Sequence, residues 1–113
     1  MSGAERRTAV RVVRPMEIQY ASNCPPISAR IEDISESGAF VDTKQPLEQG
    51  STVQFRFFLP DDTPDVAIQG RGRVVWTEPM VGFGLEFQDL PAEVRERIKF
   101  FVASVFFGHR EGA

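Results

Sequence analysis

The chain is poor in the residues from which catalytic and metal sites are usually built. It holds one cysteine, Cys24, and one histidine, His109, in 113 residues. A lone cysteine excludes an internal disulfide. One cysteine with one histidine excludes a zinc site of ordinary ligand spacing. Lysine is scarce as well: of 13 basic residues only Lys44 and Lys99 are lysine, and the other 11 are arginine. No apolar run approaches the roughly 18 residues of a membrane span. The arginines at the N-terminus are followed by no apolar segment, so no signal peptide is expected, and a reducing cytoplasm is the expected compartment. There is no glycine-rich phosphate loop ahead of a helix. His109 falls in the C-terminal tail, and the acids are scattered at turns and strand edges. With no Ser-His, Cys-His or paired-carboxylate arrangement to be found, the chain is expected not to be an enzyme and to carry no cofactor.

What is present is an ordinary globular composition, 42% hydrophobic, 11% aromatic and 26% charged, sufficient for one domain spanning residues 1–113. The net charge is −3, which disfavours a long polyanion as partner. The basic groups are unevenly placed, however. Arg6, Arg7, Arg11 and Arg14 lie in the first fourteen residues against one acid, Glu5. Such a head is either a solvated, arginine-biased terminus or a local clamp for an anion.

The hydrophobic pattern has mostly period two, the mark of half-buried antiparallel strands. It predicts strands over 10–20, broken near Pro15, then 27–34, 38–43, 52–59, 66–76 and 81–88. Turns fall at Pro25-Pro26, Pro46 to Gly50, Pro60 to Pro64 and Glu78-Pro79. After Asp89 the period changes. Pro91 and Glu93 suit the first turn of a helix, and Val94, Ile98, Phe101, Val102 and Val105 recur at spacings of three and four. The expected architecture is mainly β: a small six-stranded antiparallel β-barrel over about 8–88 with a C-terminal α-helix over about 91–107. In Gly82-Phe83-Gly84 the glycines read as small residues on an outer face where something packs closely.

Two segments carry binding chemistry. Arg7 and Arg11, four residues apart at the opening of the first strand, can converge on one anion, because guanidinium groups make bidentate contacts to phosphate and stack on flat rings. At the turn after the second predicted strand, Asp33 can accept hydrogen bonds from a guanine edge and Ser35 offers a short hydroxyl. Gly38 permits a backbone angle or a close ligand approach that a side chain would block. The same three residues also build ordinary turns.

Taken together, Arg7-x-x-x-Arg11 and Asp33-x-Ser35-x-x-Gly38 on a small β-barrel resemble the PilZ family of bacterial cyclic di-GMP receptors. Arg73-Val74-Val75-Trp76 and Gly82-Phe83-Gly84-Leu85-Glu86-Phe87 look like that family's last two barrel strands, and a closing helix from about Pro91 matches, so the resemblance covers roughly residues 5–105. It implies that Arg7 and Arg11 grip phosphates and stack on guanine, that Asp33 and Ser35 hydrogen-bond the nucleotide, and that Gly38 lets the turn close against it. An arginine at the position of Arg6 implies an intercalated pair of cyclic di-GMP molecules. Trp76 is a weaker ligand candidate, since strand parity groups it with Val74, Ile68 and Val66 towards the core. Arg14 reads as a solvated or ion-paired strand residue. The output implied is a conformational change presented to an effector protein. A protein-interaction module with weak or no nucleotide binding is the alternative. Nucleic acid is not an expected partner. Phe100, Ala103 and Phe107, with Phe106 beside them, form a second helical stripe. Either it adds burial against the barrel or it is an interface, including one for a homodimer.

Overall fold

The computed structural model describes residues 10–60 and 66–111, the side chains of 109–111 excepted. Six strands form the barrel: β1 (Arg11–Ala21), β2 (Ile27–Ser35), β3 (Gly38–Asp42), β4 (Thr52–Phe57), β5 (Ile68–Glu78) and β6 (Gly82–Gln88). One helix, α1 (Ala92–Glu111), comes after them. The strands close in the order β1-β2-β3-β6-β5-β4, every pairing is antiparallel, and β4 returns to β1 through Ile18↔Phe57 and Tyr20↔Phe55. Closure leaves no sheet edge to recruit another strand.

The alternation seen in the sequence fills the barrel. Ile18, Ile31, Ile34, Val41, Val53, Ile68, Val74 and Phe83 are fully buried, and Phe55, Phe57 and Leu85 nearly so. Each such side chain contributes roughly 1.5–3 kcal/mol on leaving water. Helix α1 lays Ile98, Phe101 and Val102 against this core and touches β1 and β2, capping the side of the barrel nearest the chain's beginning. Asp89, in the left-handed region at φ 57, turns the chain from β6 towards it.

Pro15 does not break β1. The strand runs through it, and the pairing with β2 shifts register between Val13 and Met16. A residue without an N–H is tolerated at such a bulge because the ladder asks no donor of it.

Tyr20, the sole tyrosine, is a polar anchor inside the core. Its hydroxyl donates to the Gln45 carbonyl at 2.7 Å and lies 3.0 Å from Thr43 Oγ1, tying the loop after β3 to β1. Burial pushes its pKa above 10.0, against the lowering effect of the Thr43 bond. The unfolded phenol ionises first, so the stabilisation is complete below pH 10 and is lost as pH rises towards the folded pKa. Tyr20→Phe is expected to cost about 1–3 kcal/mol, because the loop's acceptor is left without its donor. The variant should also lose part of the alkaline destabilisation, read by denaturant melts at neutral and alkaline pH.

Candidate functional site

The turn Ser35-Glu36-Ser37-Gly38 joins β2 to β3 and is built from its own side chains. The Ser37 amide donates to Ser35 Oγ at 3.2 Å, and Ser35 Oγ donates to the Gly38 carbonyl at 3.4 Å. Ser37 Oγ is 3.2 Å from Ser35 Oγ. The Phe87 amide donates to the Ser37 carbonyl at 2.9 Å, so the turn is fastened to β6. Ser35 is 1% exposed. Its hydroxyl is therefore a brace inside the turn.

Gly38 pairs with Glu86 on β6, and a Cβ there would collide with the Leu85 carbonyl oxygen. Its φ is not positive, unlike those of Gly50 and Gly82. The glycine is required by the close approach of two backbones, and the unusual backbone angle allowed for at this position does not occur.

Beside the turn, Arg11 Nε stands 2.8 Å from Asp33 Oδ1, with Arg11 about half exposed. The two lie on neighbouring strands, Arg11 opposite Ser35 and Asp33 opposite Val13, the diagonal arrangement through which long side chains meet. The ion pair is not aligned as a hydrogen bond, and Asp33 Oδ1 is buried with no hydrogen-bond donor. Arg11 is thus held by its Nε edge, with the forked end of the guanidinium left over for another acceptor.

Asp33 reaches the outside through a bulge. With Ile27, Ala29 and Ile31 on one face, strict alternation would send residue 33 inward as well. The β2–β3 pairing instead shifts register between Ile31 and Asp33. Ile31 and Ile34 both point into the core while Asp33 is only half-buried. A single extra residue in one strand of a pair re-aims the side chains beyond it.

The same device corrects the expectation for Trp76. Parity grouped it with Val74, Ile68 and Val66, but the β5–β6 pairing shifts register between Val74 and Trp76. Val74 and Ile68 are buried, whereas Trp76 is 44% exposed and Val66 is exposed too. The indole lies flat on the outer surface over Gly84, where any Cβ would strike its ring, and stacks on Phe40 with centroids 5.3 Å apart and planes 15° from parallel. The glycine of β6 is the seat of an aromatic, as its place in the sequence suggested.

These outward residues fall in one cross-strand row. Val13 pairs with Asp33, Asp33 with Phe40, Phe40 with Gly84 and Gly84 with Trp76. By leaning over the bare Gly84 backbone, Trp76 reaches Phe40, one strand from Asp33. The row therefore runs from a guanidinium-carboxylate pair to a stacked aromatic pair. Phe40 was not singled out in the sequence. Its only signal there was its place two residues after the Gly38 turn, which assigns it the outward side once the register is known.

Arg6 and Arg7 lie outside the described residues, so of the arginine segment the structure places Arg11 alone. Arg14 lies 5.9 Å from the Phe101 ring centroid, a cation–π contact with the helix. The Phe-bearing stripe of α1 is not buried against the barrel. Phe100 is 76% exposed, and Phe106 and Phe107, packed edge to face at 5.0 Å, are 41% and 55% exposed. Among the described residues no helix is long and apolar enough to cross a membrane, and no three metal-ligating side chains cluster.

The fold is a small closed antiparallel β-barrel with a capping helix, and an arginine-acid pair stands beside its β2–β3 turn. The family model of the PilZ domain matches residues 5–104, and the chain belongs to that family. Solved structures agree on the fold. The Bacillus subtilis inhibitor of motility, MotI/DgrA, superposes with a TM-score of 0.81 at 18% identity, covering 93% of this chain and 53% of that one. The chain thus spans about half the length of that neighbour. The PilZ domain of CeSA from a cellulose-synthesising bacterium gives 0.57 at 19% identity, covering 88% and 97% of the two chains. An uncharacterised Legionella protein gives 0.54 at 15% identity, with the same coverage. No curated protein sequence matches.

Proposed function

We propose that this domain is a receptor for cyclic di-GMP that hands a change of conformation to a partner protein. The observation that carries the reading is the Arg11–Asp33 pair at 2.8 Å beside the braced Ser35–Gly38 turn, in a chain that has both motifs of its family in order. Cyclic di-GMP has two phosphates and two guanines. It asks for guanidinium forks, a carboxylate and flat surfaces, and the row from Arg11 and Asp33 to Phe40 and Trp76 offers one fork, the carboxylate and a stacked aromatic pair.

In this reading Arg7 and Arg11 hold phosphate oxygens, and Asp33 takes donors from a guanine edge. Gly38 and Ser35 hold the turn in place, Ser35 from within. Arg6 supplies a further cationic plane, which suits an intercalated pair of nucleotides. Trp76, supported by Phe40, borders the base-binding surface. Engagement of Arg6 and Arg7 by the nucleotide changes the surface offered to the partner, and that change is the signal. The receptor works in the cytoplasm and performs no chemistry on its ligand. An interaction through the exposed phenylalanines of α1, with an effector or a second copy, fits the same scheme.

The sole tryptophan makes the test direct. Titration with cyclic di-GMP is expected to change Trp76 fluorescence and to shift the amide resonances of Arg7, Arg11, Asp33 and Ser35. GTP and a short oligonucleotide should leave them in place. Equal responses to all three would reject a receptor and favour a general anion surface. Trp76→Ala is expected to weaken nucleotide binding by about tenfold, the worth of about 1–3 kcal/mol typical of base–aromatic stacking, as measured by calorimetry. Undiminished affinity would remove Trp76 from the site.

A further inference from the structure

Far from the Arg11 end of β1, the outer face of β1, β4 and β5 has a composition of its own. Register places Gln19 opposite Arg56, Arg56 opposite Gln69, and Gln54 opposite Arg71. All five side chains are exposed. They line an open cleft of about 510 Å³, in which Asp89 is the one acid of the lining. Gln19 is eight residues along β1 from Arg11, roughly 26 Å at the rise of an extended strand, while the Arg71–Asp89 end of the cleft comes closer to the Ser35–Gly38 turn.

Among the described residues, no carboxylate forms an ion pair with Arg56 or Arg71. The Arg56 guanidinium rests over the Phe58 ring at 5.1 Å from its centroid, which holds its plane without consuming its donors. In a chain of net charge −3, two arginines with no carboxylate partner among the described residues, set among three glutamine amides, are a local excess of donors. Because the barrel is closed, a partner cannot add a strand here and must be read by side chains.

We propose that this face docks an extended acidic segment of a partner protein, with carboxylates at alternate positions. The spacing supports that occupant. Arg56 and Arg71 are diagonal neighbours on adjacent strands, about 7–8 Å apart at the backbone. Alternate side chains of an extended peptide stand roughly 6.6–6.8 Å apart on one side. Each carboxylate meets one guanidinium fork, and the glutamine amides pair with the peptide's own N–H and C=O groups. A nucleic-acid strand would supply anions of similar spacing, but it also needs stacking platforms along a basic groove. Here glutamines stand between the arginines.

The proposal is independent of the nucleotide reading and is tested without nucleotide. A fluorescein-labelled peptide of alternating glutamate and serine should bind the full chain and shift the amide resonances of Gln54, Arg56, Gln69 and Arg71. Those of Asp33 and Ser35 should stay unmoved. Affinity should fall with added salt, and the glutamine-serine analogue should bind at least tenfold more weakly. Arg56→Gln together with Arg71→Gln should lower affinity at least tenfold, whereas Arg30→Gln, on the β2 face, should not. Three results would overturn the assignment: no binding of the glutamate-serine peptide, an equal loss in the Arg30 variant, or tighter binding of an oligothymidylate of equal charge. The peptide pair and the resonance map stand even if the double variant folds poorly.

Discussion

Replacing Arg11 with alanine is expected to abolish measurable cyclic di-GMP binding while the barrel stays folded. The Nε edge of Arg11 pairs with Asp33 Oδ1 at 2.8 Å, and in the proposed reading its forked end takes phosphate. Alanine removes the proposed phosphate grip and also leaves the buried Asp33 Oδ1 without its countercharge, so the carboxylate proposed to read guanine loses its position. Hydrogen bonds to charged groups are worth about 1.5–3 kcal/mol each. Losing two of them corresponds to a fall in affinity of at least a hundredfold. Arg7→Ala should behave similarly through the phosphates alone. Arg11→Lys should fall between, since an ammonium keeps the charge but lacks the planar fork. Calorimetry gives the affinities, and a thermal melt shows that the fold persists, as expected for a side chain that is about half exposed. Undiminished binding in both alanine variants would refute the site.

Gly38→Ala is expected to act on the fold first and on the ligand through it. The new Cβ would meet the Leu85 carbonyl, and neither side of that contact is a flexible side-chain end. Relief requires the Gly38↔Glu86 pairing to open, which also strains the Ser37 carbonyl's bond to the Phe87 amide at 2.9 Å. Overpacking of this kind costs about 1–3 kcal/mol or more. For a domain near this size that lowers Tm by roughly 4–8 °C per kcal/mol. Nucleotide affinity should fall as well, because Asp33 and the turn share one short connection. A melting temperature unchanged from the parent protein would show that β3 and β6 have slack at this point and that the close approach is not what requires glycine.

Much of this protein is legible before any coordinates. Val53, Phe55 and Phe57 alternate with Gln54 and Arg56, and they do line the barrel while their neighbours face out. Pro91 and Glu93 mark the helix start to within a residue, because helix termini are chemically distinctive. The arginine and Asp-Ser-Gly motifs point to the family, since each is a short run of particular side chains that can be read without coordinates.

Other parts became visible only in three dimensions. Alternation counts residues along one strand, and it cannot register an extra residue that changes a strand's phase against its neighbour. Bulges at Ile31/Asp33 and Val74/Trp76 send one carboxylate and one indole outward, and the pairing of β3 with β6 brings both to a single face with Phe40 between. The Gly82-Phe83-Gly84 glycines were readable as a place of close packing, but that Trp76 occupies it depends on β5 and β6 being neighbours. The exposure of Phe100, Phe106 and Phe107 likewise results from how α1 is rotated against β1 and β2. By itself the sequence determined the barrel's periodicity, the helix and the chemical identities of the site residues, which are local properties of the chain. Tertiary structure decided which way Asp33 and Trp76 point, because that depends on the pairing of strands distant in sequence.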